Sequence, residues 1–521
     1  MAQDVSAAWT AEERDSVRNI AHNLQVSWKK ETTLGNRTFT IGVSLISGND
    51  VIGINPGAIG SPANYKYFDE SDYIMGLSWE RSLNLPMGGL SVGFAEADLD
   101  NTTDRYTPRY LGGTEELFTA ILPRRPMIIN AGFEVDGIDQ TIPQFSGVLN
   151  RSPKVFKRNS RAELSASDYV DFFSNRYLDQ ELMFTGLRTD EVYEQLLISS
   201  GLSTAQYSLD TGINVIPFGA FDVGTKYSKI FHELAEAENG QFYQDEEGKF
   251  RFENRQHYDS SPHTDVQRVI TTGQVIDYEL PDEDHIINVV EVKSTEMRKQ
   301  PAQTIMNYTL PNTILPGETL ELFFNYENYI LEVTTPTAGG SDSYWLANSN
   351  EDGTGTDYTS SVSLVSIDNF AQASKLIFKN NASNNVVLTK VVISGRPVKD
   401  VNDIYVRLQD DSSVTAYEER PLLLDNKYIQ NEFWANSYAQ VILNDYSDPE
   451  NIIRLTIRAI PELQLGDLIS WQGRYWRTYG IKTKLDPSYG FVQELQLVQR
   501  TPTSYFRIGI STIGGDDVIS P

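Results

Sequence analysis

Six places in the 521-residue chain combine residue types and spacings that could do chemistry. Gly89-Leu90-Ser91-Val92-Gly93 has the form G-x-S-x-G, in which a strand delivers a serine nucleophile to the start of a helix. Here Phe94 to Asp100 runs on into Asn101-Thr102-Thr103 with no surrounding β–α alternation, so the glycines are expected to serve a twisted β segment. Asp210-Thr211-Gly212 has the aspartic-protease triplet, whose chemistry needs a second carboxylate sharing one proton. It lies between YSL and INVIPF and reads as a turn. His232 and Glu236 sit four apart and could face one ligand, but Ile230, Phe231 and Leu234 already define a buried stripe, which makes them a helix-surface pair. His257 and His263, with Asp259 and Asp265, supply metal-ligand types, yet the intervening Ser-Ser-Pro fixes no ligand geometry. Asn348, Asn350, Asp352 and Gly353 copy positions 1, 3, 5 and 6 of a calcium loop, with Thr359 where a bidentate Glu belongs. Arg151, Lys154, Lys157, Arg158 and Arg161 put five cations in eleven residues without an acid. Contact with phosphates or lipid heads is one reading, and pairing with an acidic surface on a neighbouring subunit is the better one in so acidic a chain. No residue is assigned a catalytic, cofactor-binding or metal-binding role, no cofactor is expected, and no enzyme activity is expected.

Composition points the same way. Lys+Arg number 43 against 71 Asp+Glu, a net charge of −28 that argues against a sequence-independent phosphate binder. The absence of Cys removes thiol nucleophiles, Cys-ligated metals and disulfides, and five His leave little for a Ser–His relay. The start, MAQDVSAAWTAEER, lacks a cationic region followed by an apolar run, and no 18 apolar residues run together. A soluble chain without a secretion signal or membrane span is expected.

The elements that would carry these residues are mostly strands. Thr10 and Glu13 have capping-box spacing, and Val17, Ile20, Ala21 and Leu24 recur at helical intervals, which predicts a short N-terminal helix. From Thr38 to about Ala166, short apolar runs separated by Gly, Pro, Asn and Asp predict an all-β unit, a barrel. A helical segment near Asp168 to Asn175 follows. A helix beginning near Thr189 and a second with Tyr227, Ile230, Phe231 and Leu234 on one face, ended by Asn239-Gly240, precede a strand–turn–strand. Strands resume over 263–300. Residues 301–397 alternate strands with Gly-, Asn- and Ser-rich loops in a sandwich pattern, where Tyr344 and Trp345 could stack on a sugar ring. In IIRLTIR, Ile453, Leu455 and Ile457 point one way and Arg454, Thr456 and Arg458 the other. FVQELQLVQ closes a second barrel-like unit, and Thr501 to Pro521 reads as loosely ordered or partner-dependent. No period of 20 to 50 residues is visible.

Residues 38 to 175, the segment AEAENGQFYQDEEGKFRFENR and the closing stretch NSYAQVILNDYSDPENIIRLTIRAIPELQLGDLISWQGRYWRTYGIKTKLDPSYGFVQELQLVQR resemble tail-hub proteins of tailed bacteriophages, the baseplate-hub or minor tail proteins that cap the tail tube. The resemblance implies a mainly β chain with a small α/β domain, two tube-type β-barrel domains and an inserted β-sandwich. The divisions it suggests are an N-terminal arm with a short helix (1–37), the first barrel (38–176), the α/β domain (187–262), strands joining the barrels (263–300), the sandwich (301–397), the second barrel (398–500) and a C-terminal tail (501–521). It also implies a homotrimer presenting a pseudo-sixfold ring to the tail tube or a distal tail protein ring. Tail-tip or fibre proteins would be further partners, with the tape-measure protein a possible one, and DNA would pass without specific binding. Such a protein would sit in the virion, at the tail tip, after assembly in the host bacterial cytoplasm. On this reading Glu96, Asp98, Asp100 and Glu494 should face the channel, and the run Arg151 to Arg161 should lie at a protein contact instead. The alternative class is a tail-associated carbohydrate-binding adhesin or hydrolase.

Overall fold

The computed structural model describes residues 3, 5–14, 18–30, 65–108, 117, 121–279, 286–447, 452–486 and 490–500. It is mainly β, with a small α/β region and a sandwich. The frame is one 14-stranded sheet. Its main path runs Val275–Glu279, Ile452–Arg458, Gly490–Gln499, Arg474–Asp486, Ile74–Ser82, Phe94–Asp100, Arg161–Asp168, Ile138–Leu149, Pro126–Val135, Ile20–Lys30 and Tyr65–Asp69. Lys154–Phe156 also pairs with Arg161–Asp168, and Leu468–Trp471 joins Arg268–Val269 to Arg474–Asp486.

Period-two alternation explains why these segments are strands with one buried face. In Phe94–Asp100 the small apolar residues Ala95, Ala97 and Leu99 are buried and the residues between them face away. Ile453, Leu455 and Ile457 are buried while Arg454 is exposed, as the alternation predicts. The sheet curls around two cores. One gathers Trp28, Trp79, Leu99, Met127, Phe133, Phe145 and Leu164, and the other Ile453, Leu455, Ile469, Trp471, Trp476 and Leu495.

The N-terminal segment departs from the predicted helix. Ser6 accepts from the Trp9 amide at 3.1 Å, and the helix spans Ala7–Arg14 with Thr10 inside it. Ile20, Ala21 and Leu24 lie instead in the strand Ile20–Lys30, and Val17 falls outside the described residues. Leu24, Val26 and Trp28 are buried at alternate positions, and seven consecutive residues pair with Pro126–Val135. Sheet pairing overrides a weak helical period here. The helix bridges both cores, because Trp9 packs on Phe133 with ring centroids 5.2 Å apart and donates from Nε1 to Glu462 at 3.1 Å.

Thr189–Ser199 and Tyr227–Glu238 are the helices of the α/β region, and Asn239 ends the second in the left-handed conformation. They cover a small mixed sheet of Tyr207–Leu209, Phe250–Glu253, Gln241–Gln244 and Gly89–Leu90. Of residues 263–300, Arg268–Val269 and Val275–Glu279 join the large sheet, whereas Val289–Lys299 pairs with Val386–Gln409. That 24-residue strand runs unbroken from the sandwich past residue 398, so part of the segment assigned to the second barrel belongs to the sheet that carries the sandwich. Helix Glu432–Tyr446, capped by Asn431, packs on that sheet. The sandwich closes over Trp345, Leu376, Phe378, Leu388 and Ile393. Among the described residues no helix is long and apolar enough to cross a membrane.

Candidate functional site

Eight strands of the large sheet form one antiparallel run with an open face: Val275–Glu279, Ile452–Arg458, Gly490–Gln499, Arg474–Asp486, Ile74–Ser82, Phe94–Asp100, Arg161–Asp168 and Lys154–Phe156. Residues facing the cores are mostly apolar, with buried Arg81, Thr483 and Gln493 among them, and the opposite face carries Asp277, Glu279, Arg454, Glu494, Lys482, Lys484, Glu80, Glu96, Asp98, Glu163 and Arg161. Carboxylates outnumber cations on it. Ion pairs tie neighbouring strands: Arg454 to Glu279 at 3.7 Å, Lys484 to Glu494 at 3.9 Å, Lys482 to Glu80 at 3.3 Å, and Arg161 to Asp98. All are partly exposed, so each contributes little alone.

The run holds two groups of four strands in the same order, and Ile138–Leu149 pairs beside Lys154–Phe156 along Arg161–Asp168. The first unit contributes, in chain order, Ile74–Ser82, Phe94–Asp100, Lys154–Phe156 and Arg161–Asp168, and the second contributes Val275–Glu279, Ile452–Arg458, Arg474–Asp486 and Gly490–Gln499. In both, the spatial order is first, second, fourth, third. The units meet where the third strand of the second unit pairs with the first strand of the first, Gly480–Leu485 against Leu77–Ser82. Sequence inspection at fixed periods misses this, because about 170 residues separate the first and second strands of the second unit.

Glu96, Asp98, Asp100 and Glu494 all lie on the open face. The basic run does not lie apart from them. Arg161 bonds Asp98, Arg151 bonds Glu163 at 2.6 Å, and Lys154 stands opposite Glu163, so the cations occupy the rim of the same acidic face. Their strands are adjacent, which places opposite charges side by side.

The other sequence candidates are brought into hydrogen-bonded structure. Ser91 donates its amide to Phe242 O at 2.9 Å, and a strand follows it where an elbow would need a helix. The Leu90 amide lies 3.3 Å from His232 Nδ1, while Glu236 accepts from Asn426 at 2.8 Å, so this pair points at two different segments. Asp210 Oδ2 lies 2.7 Å from His257 Nδ1, and His257 Nε2 lies 3.3 Å from Glu253. Tyr243 donates to Glu253 at 2.6 Å. The Asp210 and Glu253 partners push the His257 pKa up despite its burial. His263, its ring centroid 4.3 Å away, is pushed down to about 4, chiefly by burial and then by His257. This polar knot ties the α/β region to the segment entering the second unit, a grouping that spacing alone does not reveal. Thr359 is buried and bonds the Ala347 backbone, and Asp352 Oδ1 accepts from the Thr354 amide at 3.0 Å, as in a polar turn. Trp345 is core, with Nε1 donating to Thr359 O at 3.3 Å, whereas Tyr344 lines an open groove of about 610 Å³ with Asn307, Asp342 and Lys390.

No family model matches this chain, and no curated protein matches it. Among solved structures it is similar to the 43 kDa tail protein of prophage MuSo2 from Shewanella oneidensis, at 10% identity and a TM-score of 0.43 over 83% of this chain and 95% of that one. A tail protein from Neisseria meningitidis is similar at 10% identity and a TM-score of 0.44, covering 84% of this chain and 94% of the other. A prophage tail protein from Listeria monocytogenes is similar at 7% identity and a TM-score of 0.39, covering 84% and 92%.

Proposed function

We propose that this chain is a structural tail-hub protein of a tailed bacteriophage, a homotrimeric ring at the distal end of the tail tube that adapts sixfold to threefold symmetry. The observation that carries this reading is the repeated four-strand unit. One chain supplies two equivalent positions in a continuous antiparallel sheet, so three chains supply six. At a strand spacing of about 4.8 Å, a closed run from two copies is roughly 24 Å across between backbones and one from three copies roughly 37 Å, with strand tilt widening both. Side chains lining the wall take up roughly 10 Å of that width, and three copies leave the clearance that a hydrated duplex needs. The open face would line the bore, and its excess carboxylates, within a Debye length of roughly 8 Å from a passing phosphate, keep DNA from adhering. DNA would pass unbound, while the outer elements anchor tail-tip or fibre proteins in the virion after assembly in the host cytoplasm. The role is non-enzymatic on this reading.

Light scattering on the purified protein, alone and with its tail-tube partner, tests the oligomer. A mass of three chains supports the reading, and a monomer under both conditions defeats it. The groove beside Tyr344 favours a second reading, a carbohydrate-binding adhesin, since an aromatic ring flanked by amide, carboxylate and ammonium groups suits a sugar. Glycan-array binding by the full chain that is lost in Tyr344→Ala supports it.

A further inference from the structure

We propose that the cavity where the second four-strand unit, helix Glu432–Tyr446 and the α/β region meet is a binding site for a small organic carboxylate, a singly charged acid with a short hydrocarbon body. The cavity holds about 100 Å³, and its wall carries three arginines, Arg255, Arg477 and Arg500, against one carboxylate, Asp445, among the described residues.

The three cations are not equally satisfied. Arg500 is neutralised, because Asp445 takes it in a two-point pair with Nη2 2.9 Å from Oδ2. Arg477 donates instead to neutral carbonyls, Gly466 O at 2.7 Å and His263 O at 3.3 Å, and lies over the Tyr258 ring at 4.5 Å. Its pKa is pushed down to about 10, chiefly by burial, with the nearby Arg500 charge adding to the fall. Arg255 lies over Trp434, 3.7 Å from the ring centroid, and makes no hydrogen bond or ion pair with any described residue. Burial pushes its pKa down against the pull of Glu238 and Asp259, and Glu238 is itself held by Thr189, Ile213 and Asn214. A guanidinium held over an indole by its face keeps its edge donors as a fork that fits two carboxylate oxygens.

A second polar group lacks a partner in the same place. Tyr446 ends the helix and lines the cavity, is only 5% exposed, and has a buried hydroxyl with no hydrogen-bond partner among the described residues. The Arg500 charge acts on it. A buried hydroxyl left unbonded costs free energy, which an acceptor seated in the cavity offsets. In a chain where 71 Asp and Glu face 43 Lys and Arg, a cavity with donors and positive charge in excess runs against the general balance. It calls for an anion.

The walls select the class of anion. Leu83, Pro86, Val441 and Val498 supply hydrocarbon beside the arginines, which suits an alkyl body and gives nothing to a bare phosphate. Asp445 repels a second negative charge, so a monoanion is favoured over a dianion. Arg255 takes both carboxylate oxygens, the Tyr446 hydroxyl donates to one of them, and Arg477 adds its charge.

Saturation-transfer NMR and thermal unfolding of the full chain with butyrate, acetate and inorganic phosphate test the site. Butyrate should bind with a Kd in the millimolar range, more tightly than acetate and much more tightly than phosphate, and should raise the thermal midpoint as its concentration rises. Tyr446→Phe removes only the unbonded hydroxyl, so the ligand-free midpoint should not fall while butyrate binds about fivefold more weakly. Arg255→Gln should weaken binding on the order of tenfold, and Arg255→Lys, which keeps the charge but not the fork, should fall between it and the parent chain. No binding of butyrate, phosphate binding as tight as butyrate, or butyrate binding that ignores both Tyr446→Phe and Arg255→Gln overturns the proposal. The hub reading is tested separately, by the mass of the assembled protein.

Discussion

The two four-strand units reach the same spatial order from very different stretches of chain. The first uses residues between 74 and 168, while the second places its first strand at Val275–Glu279 and its second at Ile452–Arg458, with the sandwich and helix Glu432–Tyr446 between them. Loop-closure entropy rises only slowly with loop length, so a long insertion at a surface connection costs little once the inserted part folds on its own core. Strand order, set by which apolar faces must be covered, survives what chain connectivity does not preserve. The units differ most in their interiors. The first holds buried Glu70 with Arg105, Trp28 and Tyr106 within its own core, whereas the buried ion cluster of the second, Arg268 with Glu13 and Glu462, is completed by the N-terminal helix.

The largest effect should come from that network. Glu70 is fully buried and accepts from Trp28 Nε1 at 2.8 Å, Tyr106 Oη at 2.6 Å and Arg105 Nε at 2.9 Å. Glu70→Ala strands an arginine and two further donors, and should cost about 3–5 kcal/mol in denaturant unfolding. An effect below about 1 kcal/mol would remove the contrast between the units.

Next is a pH dependence to which the first unit contributes through one carboxyl. Asp168, at the end of its fourth strand, accepts from the Gly93 amide at 2.6 Å and the Val170 amide at 3.0 Å, yet burial pushes its carboxyl from 3.8 up to about 7. The folded state then holds a proton that the unfolded chain releases. This contribution is full below pH about 4 and declines as pH rises to about 7. The fourth strand of the second unit ends at Gln499, which has no such group. Asp168→Asn should flatten the slope of stability between pH 4 and 7, and an unchanged slope would assign it elsewhere.

A smaller loss is expected at the clamp on the second unit. Glu462 accepts from Trp9 Nε1 and pairs with Arg268 at 2.6 Å, and Glu462→Gln should cost about 1–3 kcal/mol while loosening the helix Ala7–Arg14. Hydrogen exchange should rise first in that helix. The smallest effect belongs to the internal junction. Lys482 and Glu80 are about 40% exposed, so Lys482→Glu should cost less than about 1 kcal/mol in a contact already tethered within one chain. A loss several times larger would show that the junction depends on charge more than on its ladder.

Individual strands were legible wherever one face is buried. The alternation of Ile453, Leu455 and Ile457, and the helical face of Tyr227, Ile230, Phe231 and Leu234, read directly from residue spacing because burial imposes the period. Partners were not legible. Ile20–Lys30 carries too little pattern to distinguish strand from helix until Pro126–Val135 lies beside it. Val386–Gln409 has no break at the edge of the sandwich because it is one strand shared by two regions. Gly89–Leu90 gave a hydrolase-like motif, yet the structure uses it as an edge strand of the α/β sheet. Of the open face, Glu96, Asp98, Asp100 and Glu494 were foreseen from charge and alternation. The Arg161–Asp98 pairing that seats the basic run on the same face depends on a strand order that sequence does not display.

The most direct test is an electron cryo-microscopy map of the assembled protein. The account predicts a threefold ring whose bore is the open face of the eight-strand run, with Glu96, Asp98, Asp100 and Glu494 pointing inward. A ring whose bore is lined by the sandwich or the α/β region, with that face turned outward, would contradict it.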